Sequence, residues 1–108
     1  MTWDIVYPYP DVKRFVLRLP PTLLAKYAKL TGLMIEFGSN LGMPHARAMS
    51  DGLFELRVNG REGIARVFFC ALAGERIIML HAYSMKTQET PTRELRIARK
   101  RMTELRRE

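Results

Sequence analysis

The stretch from Asp51 to Pro91 constrains this chain most, because its apolar residues alternate as strands do and its glycines fall where strands turn. From Leu53 to Val58, Phe54, Leu56 and Val58 fall on one side and Glu55 and Arg57 on the other. That is the pattern of a half-buried strand. Ile64–Leu72 (IARVFFCAL) is β-branched and aromatic, which suits a second strand. Arg76–Ser84 (RIIMLHAYS) predicts a third. Asn59-Gly60 and Ala73-Gly74 lie between them, and glycine supplies the positive φ that tight reversals need. The expectation is an antiparallel meander of three strands.

The exceptions to its apolar pattern carry the chemistry. Arg57 lies opposite Phe54, Leu56 and Val58, Arg66 interrupts the run Ile64–Leu72, and Lys86 follows the last strand. Cations on or beside one sheet face are costly unless that face meets water or an anion. A solvated face with scattered ion pairs and an anion-binding face are both open readings of these residues.

A chain of 108 residues predicts a single domain spanning 1–108, and its 47% apolar content is enough for a core. Net charge is +7 and pI about 10.1, which favours a polyanion such as nucleic acid, or an acidic protein, as partner. Cys70 is the only cysteine, so an intrachain disulfide is excluded, and with only His45 and His81 a structural zinc site cannot be completed. No metal and no cofactor is expected. The start MTWDIVYPYP lacks a basic segment followed by an apolar core, and no apolar run approaches the roughly 20 residues that span a bilayer. The expected setting is a reducing cytoplasm, away from membranes.

Before the meander, Trp3–Tyr7 predicts a short strand joining the sheet, stopped by Pro8 and Pro10. Asp11 is read as the cap of a helix with Val12, Phe15, Val16 and Leu19 on one face. Pro20-Pro21 breaks it and opens a second helix to about Phe37, ended by Gly38. The two should form a helical hairpin covering one sheet face. Ser39–Ser50, with its Gly, Pro and Asn, reads as a loop carrying His45 and Arg47. After the meander, Thr90 is read as cap and Pro91 as first residue of a last helix. Leu95, Ala98, Met102 and Leu105 give it a narrow apolar stripe among seven cations and three acids.

No phosphate-cradling glycine motif, Cys/His pairing or Ser-His-Asp order occurs. Glu55 and Glu62 are a weak carboxylate pair. His81, inside the third strand, reads as a packed, hydrogen-bonded residue, and Cys70 as a small core residue.

The run LGMPHARAMSDGLFELR, then ARVFF, then LHAYSMKTQETPTRELRIARKRM resembles the RelE/HigB-like toxins of bacterial toxin–antitoxin modules, in the branch of phage-derived toxin-like proteins. The matching positions are Leu41-Gly42, Pro44, Gly52 to Arg57, Arg66, Lys86-Thr87 and Pro91, and the likeness covers essentially the whole chain. It implies an α+β RelE-like domain: an N-terminal helical hairpin packed on an antiparallel sheet, plus a C-terminal helix. It implies a ribosome-dependent endoribonuclease that cleaves mRNA and inhibits translation, and a cognate antitoxin, often of helix-turn-helix type. By position it assigns Arg57, Arg66 and Lys86 to catalysis. Met85 replaces the usual first lysine and no tyrosine follows Tyr83, so the cations carry over and an acid/base assignment does not.

The residues fit a mechanism without metal. RNA brings its own nucleophile, the 2′-OH, and Arg and Lys can orient the phosphate and stabilise the charge it gains. Arg61, Arg93, Arg96, Arg99 and Lys100 are the expected RNA-binding cations. The competing reading is a non-catalytic RNA- or ribosome-binding module, a decayed toxin held by an antitoxin. A third is a protein partner whose basic helix only binds an acidic chain.

Overall fold

The computed structural model describes residues 2–39, 41–85 and 90–107. Its elements are β1 (Asp4–Val6), α1 (Pro10–Leu17), α2 (Pro21–Phe37), β2 (Ala46–Ser50), β3 (Leu53–Gly60), β4 (Gly63–Leu72), β5 (Arg76–Met85) and α3 (Thr92–Arg106). The expected meander is β3-β4-β5, and the sheet order is β1-β5-β4-β3-β2. The fold is α+β, as expected. Among the described residues no helix is long and apolar enough to cross a membrane.

Two cores lie on the two faces of the sheet. On one, Val12, Val16 and Leu19 of the α1 segment and Leu23, Tyr27, Leu30 and Met34 of α2 meet Leu56, Val58, Ala65, Val67, Phe69, Ile77 and Met79. This is the expected helical hairpin on its sheet. On the other, Ala98 and Met102 of α3 pack on Leu53, Phe68, Cys70, Ile78, Leu80, Tyr83 and Met85. The apolar stripe of α3 is thus used, and Cys70 is buried. With helices on both faces, Glu55, Arg66 and His81 of the sheet are buried along with its apolar residues.

Three local expectations are corrected. The N-cap of α1 is Tyr9, with Pro10 in the first turn, where its missing N–H is no loss. Asp11 lies within that turn, and its carboxylate accepts from Arg101 Nη1 at 3.1 Å. At α3 the N-cap is Pro91, because the Thr90 hydroxyl is spent on Glu55 Oε2 at 2.7 Å. The second half of the expected loop Ser39–Ser50 is β2, paired antiparallel with β3 through Ala46↔Leu56, Arg47↔Glu55 and Ala48↔Phe54. Asp51-Gly52, a strong hairpin dipeptide, was the available signal; φ is 55° at Asp51 and 84° at Gly52. The expected strand at Trp3–Tyr7 joins the sheet as β1, parallel to β5 with Asp4↔Arg76 and Val6↔Ile78, and among the described residues the other pairings are antiparallel.

Gly38 ends α2 at φ 93°, and a Cβ there would sit 2.9 Å from the Trp3 ring. Only glycine lets the N-terminal segment close over the end of α2.

One bulge matters for the site. Phe68 pairs with His81 but Phe69 pairs with Met79, which leaves Leu80 as an extra residue in β5. Simple alternation would set His81 and Tyr83 on the face of Ile77 and Met79. The bulge turns Tyr83 to the α3 face, and His81 with it, its ring stacked on Tyr83 and its Nε2 bonded to Glu94 of α3.

Candidate functional site

Strand register assembles the site on the α3 face. One row across β3, β4 and β5 is Arg57–Arg66–Tyr83, and the next is Glu55–Phe68–His81. The Tyr83 ring stacks on Phe68 at 5.8 Å and on His81 at 6.0 Å. The start of α3 lies over these rows. Thr90 reaches Glu55, and Glu94 Oε1 lies 2.9 Å from His81 Nε2.

Arg66 is only 1% exposed and Glu55 only 2%. This corrects the expectation of a cation facing water or an anion: α3 and its entry close over the sheet face that holds Arg66. The guanidinium is instead matched internally. Nε lies 3.9 Å from Glu55 Oε1, and Nη1 donates to Asn59 Oδ1 and to the Ala65 carbonyl, both at 2.9 Å. Burial lowers the pKa of Arg66, the neighbouring Arg57 lowers it further, and Glu55 and Tyr83 oppose both. Arg57 is half-buried, and its main-chain N–H donates to the His45 carbonyl at 2.8 Å. It therefore sits where the row runs out towards edge strand β2, on which Arg47 is exposed.

Tyr83 is a candidate site residue that the sequence analysis did not single out. Its phenol is pushed up to about 12, first by burial and then by Glu55, so the neutral, proton-bearing form is favoured. Thr90 lies close enough to lower that value in part, without the alignment of a hydrogen bond. Among the described residues the buried Tyr83 hydroxyl has no hydrogen-bond partner. His81 is the packed, hydrogen-bonded residue expected, and Glu94 is its unforeseen partner.

The other site residues disperse. Lys86 lies outside the described residues. Arg61 is exposed in the β3–β4 turn, and Arg93, Arg96 and Lys100 are exposed along one side of α3. Arg99 is occupied by the fold: Nη2 donates to the Met49 carbonyl at 2.5 Å and Ser50 Oγ at 2.9 Å, and Nη1 lies 3.9 Å from Asp51. It tacks α3 to the β2–β3 turn. On the other flank Arg101 donates to the Leu80 carbonyl at 2.9 Å and lies over the Tyr9 ring at 4.3 Å. Glu55 and Glu62 form no pair, since Glu62 accepts from the backbone N–H and hydroxyl of Thr22 at the start of α2. Among the described residues, no three His, Cys, Asp or Glu are grouped to hold a metal ion.

The raised Tyr83 pKa predicts alkaline instability with a definite sign. Below pH ~10 the phenol is protonated in both folded and unfolded chains, and the native state keeps its full advantage. As pH rises from about 10 to about 12 the unfolded chain ionises first, and about 2–3 kcal/mol is lost. Tyr27, raised by burial and by Tyr7, acts in the same direction. Urea unfolding at about pH 9 and pH 11.5 should show this loss, and Tyr83→Phe should remove part of it. An unchanged pH dependence in Tyr83→Phe would contradict the assignment.

Residues 14–103 match the family model described as Phage derived protein Gp49-like (DUF891). The match runs from the middle of α1 into α3 and includes both rows of the site. No curated protein matches the chain.

Proposed function

Because the chain belongs to the Gp49-like phage-derived protein family, which is RelE/toxin-like, we propose that it is the toxin of a toxin–antitoxin module and a metal-independent endoribonuclease acting on ribosome-bound mRNA. The observation that carries this reading is the row Arg57–Arg66–Tyr83, two guanidiniums beside a buried, protonated phenol. In RNA cleavage the 2′-hydroxyl gives up its proton to water as its oxygen attacks phosphorus, the 5′-oxygen leaves and takes up a proton, and the products are a 2′,3′-cyclic phosphate and a 5′-hydroxyl. Arg57, half-buried on the β2 side of the row, would meet the phosphate with its guanidinium. Arg66 acts as a positioning residue, holding Glu55 and Asn59 and adding positive potential. Tyr83 supplies the proton that the leaving oxygen needs, a task suited to a phenol held neutral. Lys86, next after β5, is assigned with these by its family position. Arg61, Arg93, Arg96 and Lys100 bind RNA phosphates without reading sequence.

The partner proposed to restrain this activity is a helix-turn-helix antitoxin that masks the basic surface. Mapping of RNA 5′ ends on programmed ribosomes and on naked transcript tests the reading. The protein should cut translated message efficiently and naked RNA poorly, because a buried site with few free groups needs the ribosome to hold the strand in line. Equal rates on both would indicate a free ribonuclease. The burial of Arg66 and its pairing with Glu55 favour one alternative, a binding module that uses only the exposed cations of α3. Ribosome binding without any new 5′ end would select it.

A further inference from the structure

We propose that the cleft between α1 and the end of β5 is a nucleotide subsite for the RNA strand, an inference that rests on the RNA-directed reading above. The cleft, about 320 Å³, is lined by Arg14, Phe15, Arg18, Leu19, Pro20 and Ser84, with Asp11 at one side. That volume lies at the lower end of small-ligand clefts, which hold roughly 300–1,000 Å³. Arg14 and Arg18 are four positions apart and both exposed, so they present two guanidiniums on one side of the cleft. The single lining carboxylate, Asp11, is engaged by Arg101 at 3.1 Å, which leaves the cationic character largely uncancelled. Phe15, Leu19 and Pro20 give an apolar floor for a base or ribose beneath a phosphate held at the rim. Such a combination of cations and aromatic surface binds single strands with little sequence preference.

Position links the cleft to the candidate active site. Ser84 follows Tyr83 in β5, so the two residues project from opposite faces of the same strand end. Beyond Ile78 β5 is no longer paired with β1; the Leu80 carbonyl there accepts from Arg101, and α1 packs against β5. The cleft and the Arg57–Arg66–Tyr83 row thus lie on opposite faces of one strand end, and a single RNA strand is proposed to span both.

Two measurements test the subsite: titration of a fluorescein-labelled short single-stranded oligoribonucleotide, and single-turnover cleavage on programmed ribosomes. The double variant Arg14→Ser/Arg18→Ser should weaken oligonucleotide binding roughly tenfold and flatten its salt dependence by about 1–1.5 in log–log slope. In cleavage, the half-saturating concentration should rise more than the maximal rate falls. Ser84→Trp, which fills the cleft from an exposed position without changing charge, should weaken binding similarly. Lys26→Ser/Lys29→Ser on α2 removes the same charge elsewhere and should change binding by less than about threefold. Unchanged affinity in the arginine variant, or an equal loss in the lysine variant, overturns the subsite, as does failure of the wild-type protein to bind the oligonucleotide. If no protein cleaves RNA but the arginine and tryptophan variants alone lose binding, the subsite stands and the ribonuclease reading falls.

Discussion

Arg66→Ala is expected to destabilise the protein by about 3–5 kcal/mol, the scale for removing one member of a buried ion pair. Glu55, 2% exposed, would keep its hydrogen bond from Thr90 but lose the guanidinium 3.9 Å from its Oε1. Asn59 and the Ala65 carbonyl would lose a donor at the same time. For a domain of this size the melting temperature should fall by roughly 15 °C or more. Glu55→Gln/Arg66→Met should recover most of that loss, since Gln still accepts from Thr90 and no charge remains buried. Chemical denaturation of the two single variants and two double variants, Glu55→Gln/Arg66→Ala and Glu55→Gln/Arg66→Met, gives the coupling directly. An Arg66→Ala protein within about 1 kcal/mol of wild type would mean that the pair contributes little. A loss of cleavage in Arg66→Ala alone therefore says nothing of catalysis until stability has been matched.

Arg57→Ala is expected to give the opposite split: a fold that melts close to wild type and cleavage slowed by on the order of 10²–10³-fold, the effect of losing one charge-stabilising donor. Arg57 is half-buried, and its charge works against the buried Arg66, so its removal relieves one unfavourable interaction while it removes others. Single-turnover cleavage of ribosome-bound mRNA beside a melting curve separates the two effects. If folded Arg57→Ala cleaves at near the wild-type rate, the row is not the active site and the binding-module reading moves ahead.

Much of the architecture was legible in the chain. Glu55 and Arg57 were assigned to the face opposite Leu56 and Val58 by alternation alone, and α2 begins at Pro21 and ends before Gly38 as its punctuation predicts. The stripe Leu95, Ala98, Met102 and Leu105 was visible as a face needing a partner. β2 was hidden because Gly42, Pro44 and His45 precede it and Ala46–Ser50 is weakly strand-forming; pairing with β3 makes it a strand.

The site was legible only as a set of cations. Sequence by itself determined the alternation of β3, the breaks at Pro20-Pro21 and Gly38, the excess of basic charge and the candidacy of Arg57 and Arg66, because these depend on local periodicity and composition. Tertiary structure alone decided which of those charges meet solvent. The fold buries Arg66 against Glu55, the docking of α3 occupies Arg99 at the β2–β3 turn, and Arg57 is left half-buried on the β2 side of its row. The bulge at Leu80 decided that Tyr83 joins the arginines, since one extra residue in a strand reverses the face of every residue after it.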